Sequence, residues 1–166
     1  HLQDHRKRLN AHTAVSIRPA RTAKLLVSSA QIYNQEVYCG RIERLSFEAV
    51  MIPEESWWNR RLTKDREGYV LQHEQIHFAL MEIAARNLTI RVGREKEALT
   101  VFDSSHEVVK KRLMARVTEL MTESRTKVLQ EHTAFDEETS MRYTPKDQQR
   151  WWKSVTAQLE NLADKH

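Results

Sequence analysis

The sequence predicts an α+β domain, with strands in the first part of the chain and long helices after them. Two observations carry this. Residues 25–38 are rich in strand-forming residues and residues 41–52 place apolar residues mostly at a period of two, and from about residue 64 the apolar positions recur at the period of a helix. A third observation sets the scale. The chain has 166 residues, 40% of them apolar and 30% charged, with only three Gly and three Pro. That composition suits one domain with a single core and is too apolar for a disordered chain and too poor in Gly and Pro for a collagen-like one.

Taken in order, residues 25–38 are rich in Val, Ile, Leu and Tyr and read as strand, with a break near Asn34-Gln35. Cys39-Gly40 is expected to be a turn. Residues 41–52 place Ile42, Leu45, Phe47, Ala49 and Met51 at mostly alternate positions, a second strand ended by Pro53. Residues 54–63 form a connection in which Trp57-Trp58 carries large apolar area. The first helix opens near Lys64, with Val70, Leu71, Ile76, Leu80, Met81, Ile83, Ala84 and Leu88 on one broad face and Gly93 as terminator. A long helix is expected from Ser104, which forms a capping box with Glu107 three residues later. Its apolar positions recur at spacings of three and four as far as Phe135. The last helix begins near Pro145, a residue suited to the first turn, and buries Trp151, Trp152, Val155, Leu159 and Leu162. The expected organisation is a basic N-terminal arm over residues 1–24 and a single domain over residues 25–166.

Charge and composition exclude several classes. Residues 1–25 carry a net charge of +5, while the remainder of the chain carries −1. The basic character is therefore expected in a short solvated arm and not on a folded face interleaved with aromatics, so no nucleic-acid partner is expected. No run of about 18 uncharged apolar residues is present, which argues against a transmembrane segment. The single cysteine, Cys39, rules out an intramolecular disulfide and a cysteine-cluster metal site. The chain starts at His1, so any signal or anchor segment is expected upstream of it.

One motif carries chemistry. His73-Glu74-Gln75-Ile76-His77 is an H-E-x-x-H sequence inside the first helical pattern. Residues four apart on a helix have Cβ atoms about 5–6 Å apart and point the same way. Two imidazoles so placed can close on one zinc ion at about 2.0–2.1 Å per bond. Glu74, one position round the helix, is placed to act as general base toward a zinc-activated water and to pass the proton to a leaving amine. His73 and His77 share a stripe with Leu80, Ala84 and Leu88, which turns them inward. The competing reading is a pair of partly buried, hydrogen-bonded structural histidines.

A zinc site of this kind needs a third protein ligand. Val128, His132 and Asp136 follow one another at four-residue spacing near the end of the second long helix, and Glu138 lies just beyond. Asp136 and Glu138 are both candidates. A solvated helix end, or pairing of these acids with Arg86 or Arg142, is the alternative use. His132, Arg142 and Tyr143 are the donors that sequence position suggests for a developing oxyanion.

The segment around the motif, residues 71–88, resembles a bacterial family called domain of unknown function 922. Three further places match in order. Ser56-Trp57 is similar to the family's Ser-Trp, Phe135-Asp136-Glu137-Glu138-Thr139 to its Tyr-Asp-x-Glu-Thr, and Gln148 with Trp151 to its Gln-x-x-Trp. The resemblance covers roughly residues 40–162. It implies a secreted or periplasmic zinc-dependent metallopeptidase of the bacterial envelope, with a zincin-like fold: a twisted antiparallel or mixed sheet lying over the active-site helix, then a long helix and a C-terminal helix. It implies zinc as cofactor and a peptide or protein substrate. Independently of the resemblance, an extended substrate is expected to add as a strand to an exposed sheet edge within residues 41–52 through main-chain hydrogen bonds. The family's signature continues Thr-x-His, whereas this chain reads Thr139-Ser140-Met141, and a thioether is a poor zinc ligand. Asp136, which keeps the signature position, is then the first choice for the third ligand and Glu138 the second. A hydrolase of this type and a catalytically inactive zincin-fold binding protein remain the two readings from different classes, with a helical interaction domain carrying a chance H-E-x-x-H as the third.

Overall fold

The computed structural model describes residues 10–139 and 143–163. The first strands are β1 (Ala11–His12), β2 (Val15–Pro19), β3 (Lys24–Ile32), β4 (Gln35–Arg44) and β5 (Phe47–Met51). A single 3₁₀ turn, Pro53–Glu55, leads to β6 (Trp57–Trp58) and helix α1 (Lys64–Glu95). Strand β7 (Val101–Asp103), helix α2 (His106–Thr139) and helix α3 (Pro145–Ala163) complete the order. The domain is α+β, and its described residues form three long helices and three small antiparallel sheets, β1-β6, β2-β5 and β3-β4-β7.

The described part of the N-terminal arm expected over residues 1–24, from residue 10 onward, does not stand apart. Residues 15–19 pair in register with residues 47–51, and Ala11 and His12 pair with Trp58 and Trp57. Ile17 is 2% exposed and sits in the main core. Two of the arm's cations are paired across strands, Arg18 with Glu48 at 2.8 Å and Lys24 with Glu43 at 2.6 Å. A five-residue strand with one inward apolar residue is too short to show a period of its own, so composition alone made the segment look like a solvated tail.

The expected turn at Cys39-Gly40 lies in the middle of β4. The chain reverses instead at Tyr33-Asn34, where both residues have positive φ, 49° and 63°. That is the two-residue hairpin that matches strand twist, and it pairs Ile32 with Gln35 and runs the ladder back to Lys24. Gly40 is needed for a different reason. A Cβ built there would collide with Cγ1 of Val109 on α2, and Val109 is fully buried. Gly40→Ala is therefore expected to lower stability by about 1–3 kcal/mol through overpacking. Urea unfolding would register this as an earlier midpoint; an unchanged midpoint would show that β4 and α2 are not in close contact.

The second strand expected over residues 41–52 is two strands, broken at Leu45-Ser46, because residues 41–44 pair with β3 and residues 47–51 with β2. The cap of α2 is Ser105 and not Ser104: the Val108 amide donates to Ser105 Oγ at 3.5 Å, and Ser105's own amide donates to Asp103 Oδ1 at 3.1 Å. Gly93 stays inside α1, which runs two residues past it.

Helix α1 is the centre of the packing. Ile76, Leu80, Met81, Ile83, Leu88 and Val92 bury one face of it among Ile17, Ile42 and Phe47 of the strands, Leu113 and Val128 of α2 and Val155 of α3. Leu71, expected on that face, is half exposed. Among the described residues no helix is long and apolar enough to cross a membrane.

Candidate metal centre

Helices α1 and α2 lie side by side, and each turns one polar patch into the seam. His73 and His77 on α1 and Asp136 on α2 bring three donor atoms together. His73 Nε2 and Asp136 Oδ1 are 3.2 Å apart, His77 Nε2 and Asp136 Oδ1 3.1 Å, and the two Nε2 atoms 3.1 Å. The imidazoles are about seven-eighths covered, while the Asp136 side chain is 46% exposed, so the group opens to solvent on the carboxylate side. Burial pushes the Asp136 carboxyl up, but hydrogen bonding and attraction from His73 and His77 outweigh it and hold the group far below the usual carboxylate range.

The triangle suits a cation better than it suits protons. If both Nε2 atoms carry hydrogen, two donors face each other; if one is bare, its lone pair faces the carboxylate. Either arrangement leaves one like-poled edge. A metal ion takes a lone pair from all three corners, and the edge of a tetrahedron with zinc–nitrogen bonds of about 2.0–2.1 Å is about 3.3–3.4 Å. His73, His77 and Asp136 thus form a group that could hold a metal ion.

The surroundings hold these side chains in place. The Phe135 ring, fully buried, stacks on His73 with centroids 4.5 Å apart and meets His77 edge-on at 5.0 Å. Trp151 of α3 packs edge-on against Phe135 at 5.4 Å. Gln148, also fully buried, donates through Nε2 to the Tyr69 carbonyl and to Gln72 Oε1, both at 2.9 Å, which ties α3 to the start of α1. Tyr69 donates its hydroxyl to the Thr139 carbonyl at 3.1 Å, bridging α1 to the end of α2. Thr139 Oγ1 lies 3.4 Å from His73 Nδ1 and donates to the Phe135 carbonyl at 2.6 Å. Sequence reasoning did not assign roles to Tyr69 and Thr139. Their spacing was the available signal, since Tyr69 lies one turn before His73 and Thr139 one turn after Asp136.

The other residues singled out from the sequence fall as follows. Glu74 is half-buried beside the triad and makes no hydrogen bond or ion pair with another described residue. Leu71 and Phe78, one turn to either side of it, are 50% and 37% exposed. Glu138 is drawn away from the triad, accepting from Trp151 Nε1 at 2.9 Å and from Arg150 at 2.6 Å, contacts that keep its carboxyl below the usual range. His132 lies behind His77 with the two Nδ1 atoms 2.9 Å apart. Burial, with help from His77 and against the pull of Asp136, pushes the His132 imidazole down to about 4, so it is neutral near pH 7. Tyr143 packs against Tyr69 with ring centroids 4.7 Å apart and planes tilted by 54°, with the Arg66 guanidinium 5.3 Å from its ring, and is 56% exposed. Arg142, together with Ser140 and Met141 where the sequence leaves the family pattern, lies outside the described residues. Arg86 pairs with Glu82 at 2.8 Å on its own helix, and Asp136 faces the histidines. Ser56, the serine of the Ser-Trp pair, has a structural role, accepting from the Ala14 amide at 3.1 Å and donating to the Ile52 carbonyl at 2.7 Å.

The sheet edge expected to receive a substrate within residues 41–52 is partly taken. Along β5 the Phe47 amide donates to Thr89 Oγ1 at 2.9 Å and the Ala49 amide to Glu82 Oε2 at 3.3 Å, both on α1. A strand laid beside an amphipathic helix satisfies its outward amides with the helix's polar side chains, which sequence alternation does not reveal.

No protein-family model matches this chain, and neither a curated protein nor a solved structure matches it.

Proposed function

We propose that this chain is a zinc-dependent peptidase of the zincin type. The observation that carries the reading is the mutual 3.1–3.2 Å spacing of His73 Nε2 and His77 Nε2, on the helix that also bears Glu74, with Asp136 Oδ1 of the facing helix. His73, His77 and Asp136 would hold the ion. When bound, zinc supplies Lewis acidity toward a carbonyl and lowers the pKa of water. The chain's own residues do the rest. Glu74 takes the proton of the attacking water and returns it to the leaving amine. Leu71 and Phe78 flank it with apolar surface for substrate side chains. Tyr143, exposed and packed against Tyr69 one turn before His73, would donate to the developing oxyanion. The choice of a peptide bond, and a secreted or periplasmic setting, rest on the likeness of residues 56–57, 71–88, 135–139 and 148–151 to the family of envelope metallopeptidases.

The test is hydrolysis of a fluorescent-quenched peptide library and of unfolded casein by zinc-loaded protein, beside Glu74→Gln. The expected result is cleavage that falls by about 10²–10⁴-fold in the variant with zinc content unchanged. Equal rates in the two proteins would remove Glu74 from the chemistry. Zinc bound by both with no cleavage by either would transfer the chain to the binding-protein class.

A further inference from the structure

The third imidazole of this seam has no part in the triad, and its surroundings are unusual for a packing residue. His132 stacks on His77 with centroids 4.9 Å apart and an interplanar angle of 24°. Its Nδ1 lies 2.9 Å from His77 Nδ1, while its Nε2 is buried with no partner among the described residues. A leucine or phenylalanine would fill the same space without burying an unpaired polar atom. An orphaned ring nitrogen is a net cost, so the group that accounts for a histidine here is the other nitrogen.

His77 can offer a lone pair from Nε2 only as the tautomer that carries its proton on Nδ1. That proton needs an acceptor in a covered place. We propose that His132 is a positioning residue of the metal centre: its Nδ1 accepts the His77 Nδ1–H, fixes the ligating tautomer and holds the ring plane toward His73 and Asp136. The inference rests on the metal reading of the triad. Metal-bound histidines regularly donate their second N–H to an outer partner, most often a carboxylate or a backbone carbonyl. Here the partner is a neutral ring. The second ligand is served similarly, since Thr139 Oγ1 stands at 3.4 Å from His73 Nδ1. Helix α2 thus presents His132, Asp136 and Thr139 along one face at spacings of four and three, one ligand between two outer partners. The acceptor of His77 is a side chain that can be exchanged without replacing any ligand.

The experiment measures zinc affinity by competition with a chromophoric chelator, and the visible spectrum of the cobalt-substituted protein, for the parent chain, His132→Leu, His132→Asn and His73→Ala. Asparagine places an acceptor oxygen near the position of Nδ1; leucine fills space only. The expected result is a zinc dissociation constant raised by about 10–100-fold in His132→Leu, recovery to within a few-fold of the parent in His132→Asn, and altered cobalt bands in the leucine variant alone. Parent-like affinity and spectrum in His132→Leu would overturn the proposal while leaving the metal site standing. Equal loss in the leucine and asparagine variants would also overturn it, by reducing His132 to packing. Failure of the parent chain to bind zinc, or undiminished binding by His73→Ala, would bring down the triad reading and this inference with it.

Discussion

Protein purified without chelator or metal-affinity resin is expected to carry about one zinc ion per chain, and the His77→Ala and Asp136→Asn variants to carry none. The expectation follows from how few donors converge. Three protein ligands are the usual complement of an open zinc site, and removing one leaves a pair that competes poorly with water and buffer. Asp136→Asn is the more discriminating change. It keeps size and one acceptor oxygen, while it removes the charge that the two neighbouring imidazoles favour and turns the other oxygen into a donor. Glu138→Gln serves as the control, because that carboxylate is committed to Arg150 and Trp151. Elemental analysis by mass spectrometry reads all of these variants directly. Metal retained by Asp136→Asn and lost by Glu138→Gln would move the third ligand two residues along the chain.

The second large effect is expected at Phe135. Its ring is fully buried and touches His73, His77 and Trp151, so one side chain joins the three helices at the height of the site. Phe135→Ala removes a large buried ring and opens a cavity there, a change that costs about 3–5 kcal/mol in a well-packed core. Part of that is the loss of aromatic contacts, worth about 0.5–1.5 kcal/mol per pair beyond area alone. The variant is also expected to bind zinc less tightly, because the stacked face that keeps the His73 imidazole in place is gone. Denaturant titration and chelator competition separate the two effects. A loss of less than about 1 kcal/mol would show that the seam closes over the gap without help from this ring.

How much of this was legible in the sequence depends on the distance over which each feature is decided. The α+β class, the start of α1 at Lys64 and that of α3 at Pro145 rest on runs of residues whose pattern is local, and they were readable. So was the inward placement of His73 and His77, since four-residue spacing on a helix fixes a shared face before anything packs against it. The Tyr33-Asn34 reversal showed in the sequence only as a break near Asn34-Gln35, because tyrosine seldom takes positive φ and the glycine that looked like a turn was needed for close approach to Val109.

What the sequence determined by itself, then, was a helix bearing two imidazoles and a carboxylate, and a later helix bearing acids at compatible spacing. The tertiary structure decided which acid meets the imidazoles. Asp136 and Glu138 are two residues apart, hence about 200° apart around a helix of 3.6 residues per turn, and only the packing of α2 on α1 selects which of them faces the seam. The same packing set His132 against His77, took up the β5 amides with Thr89 and Glu82, and drew residues 11–19 into the sheets. Each of these is a contact between segments dozens of residues apart. Local periodicity orients a residue on its own element, while the partner it meets depends on how two elements dock.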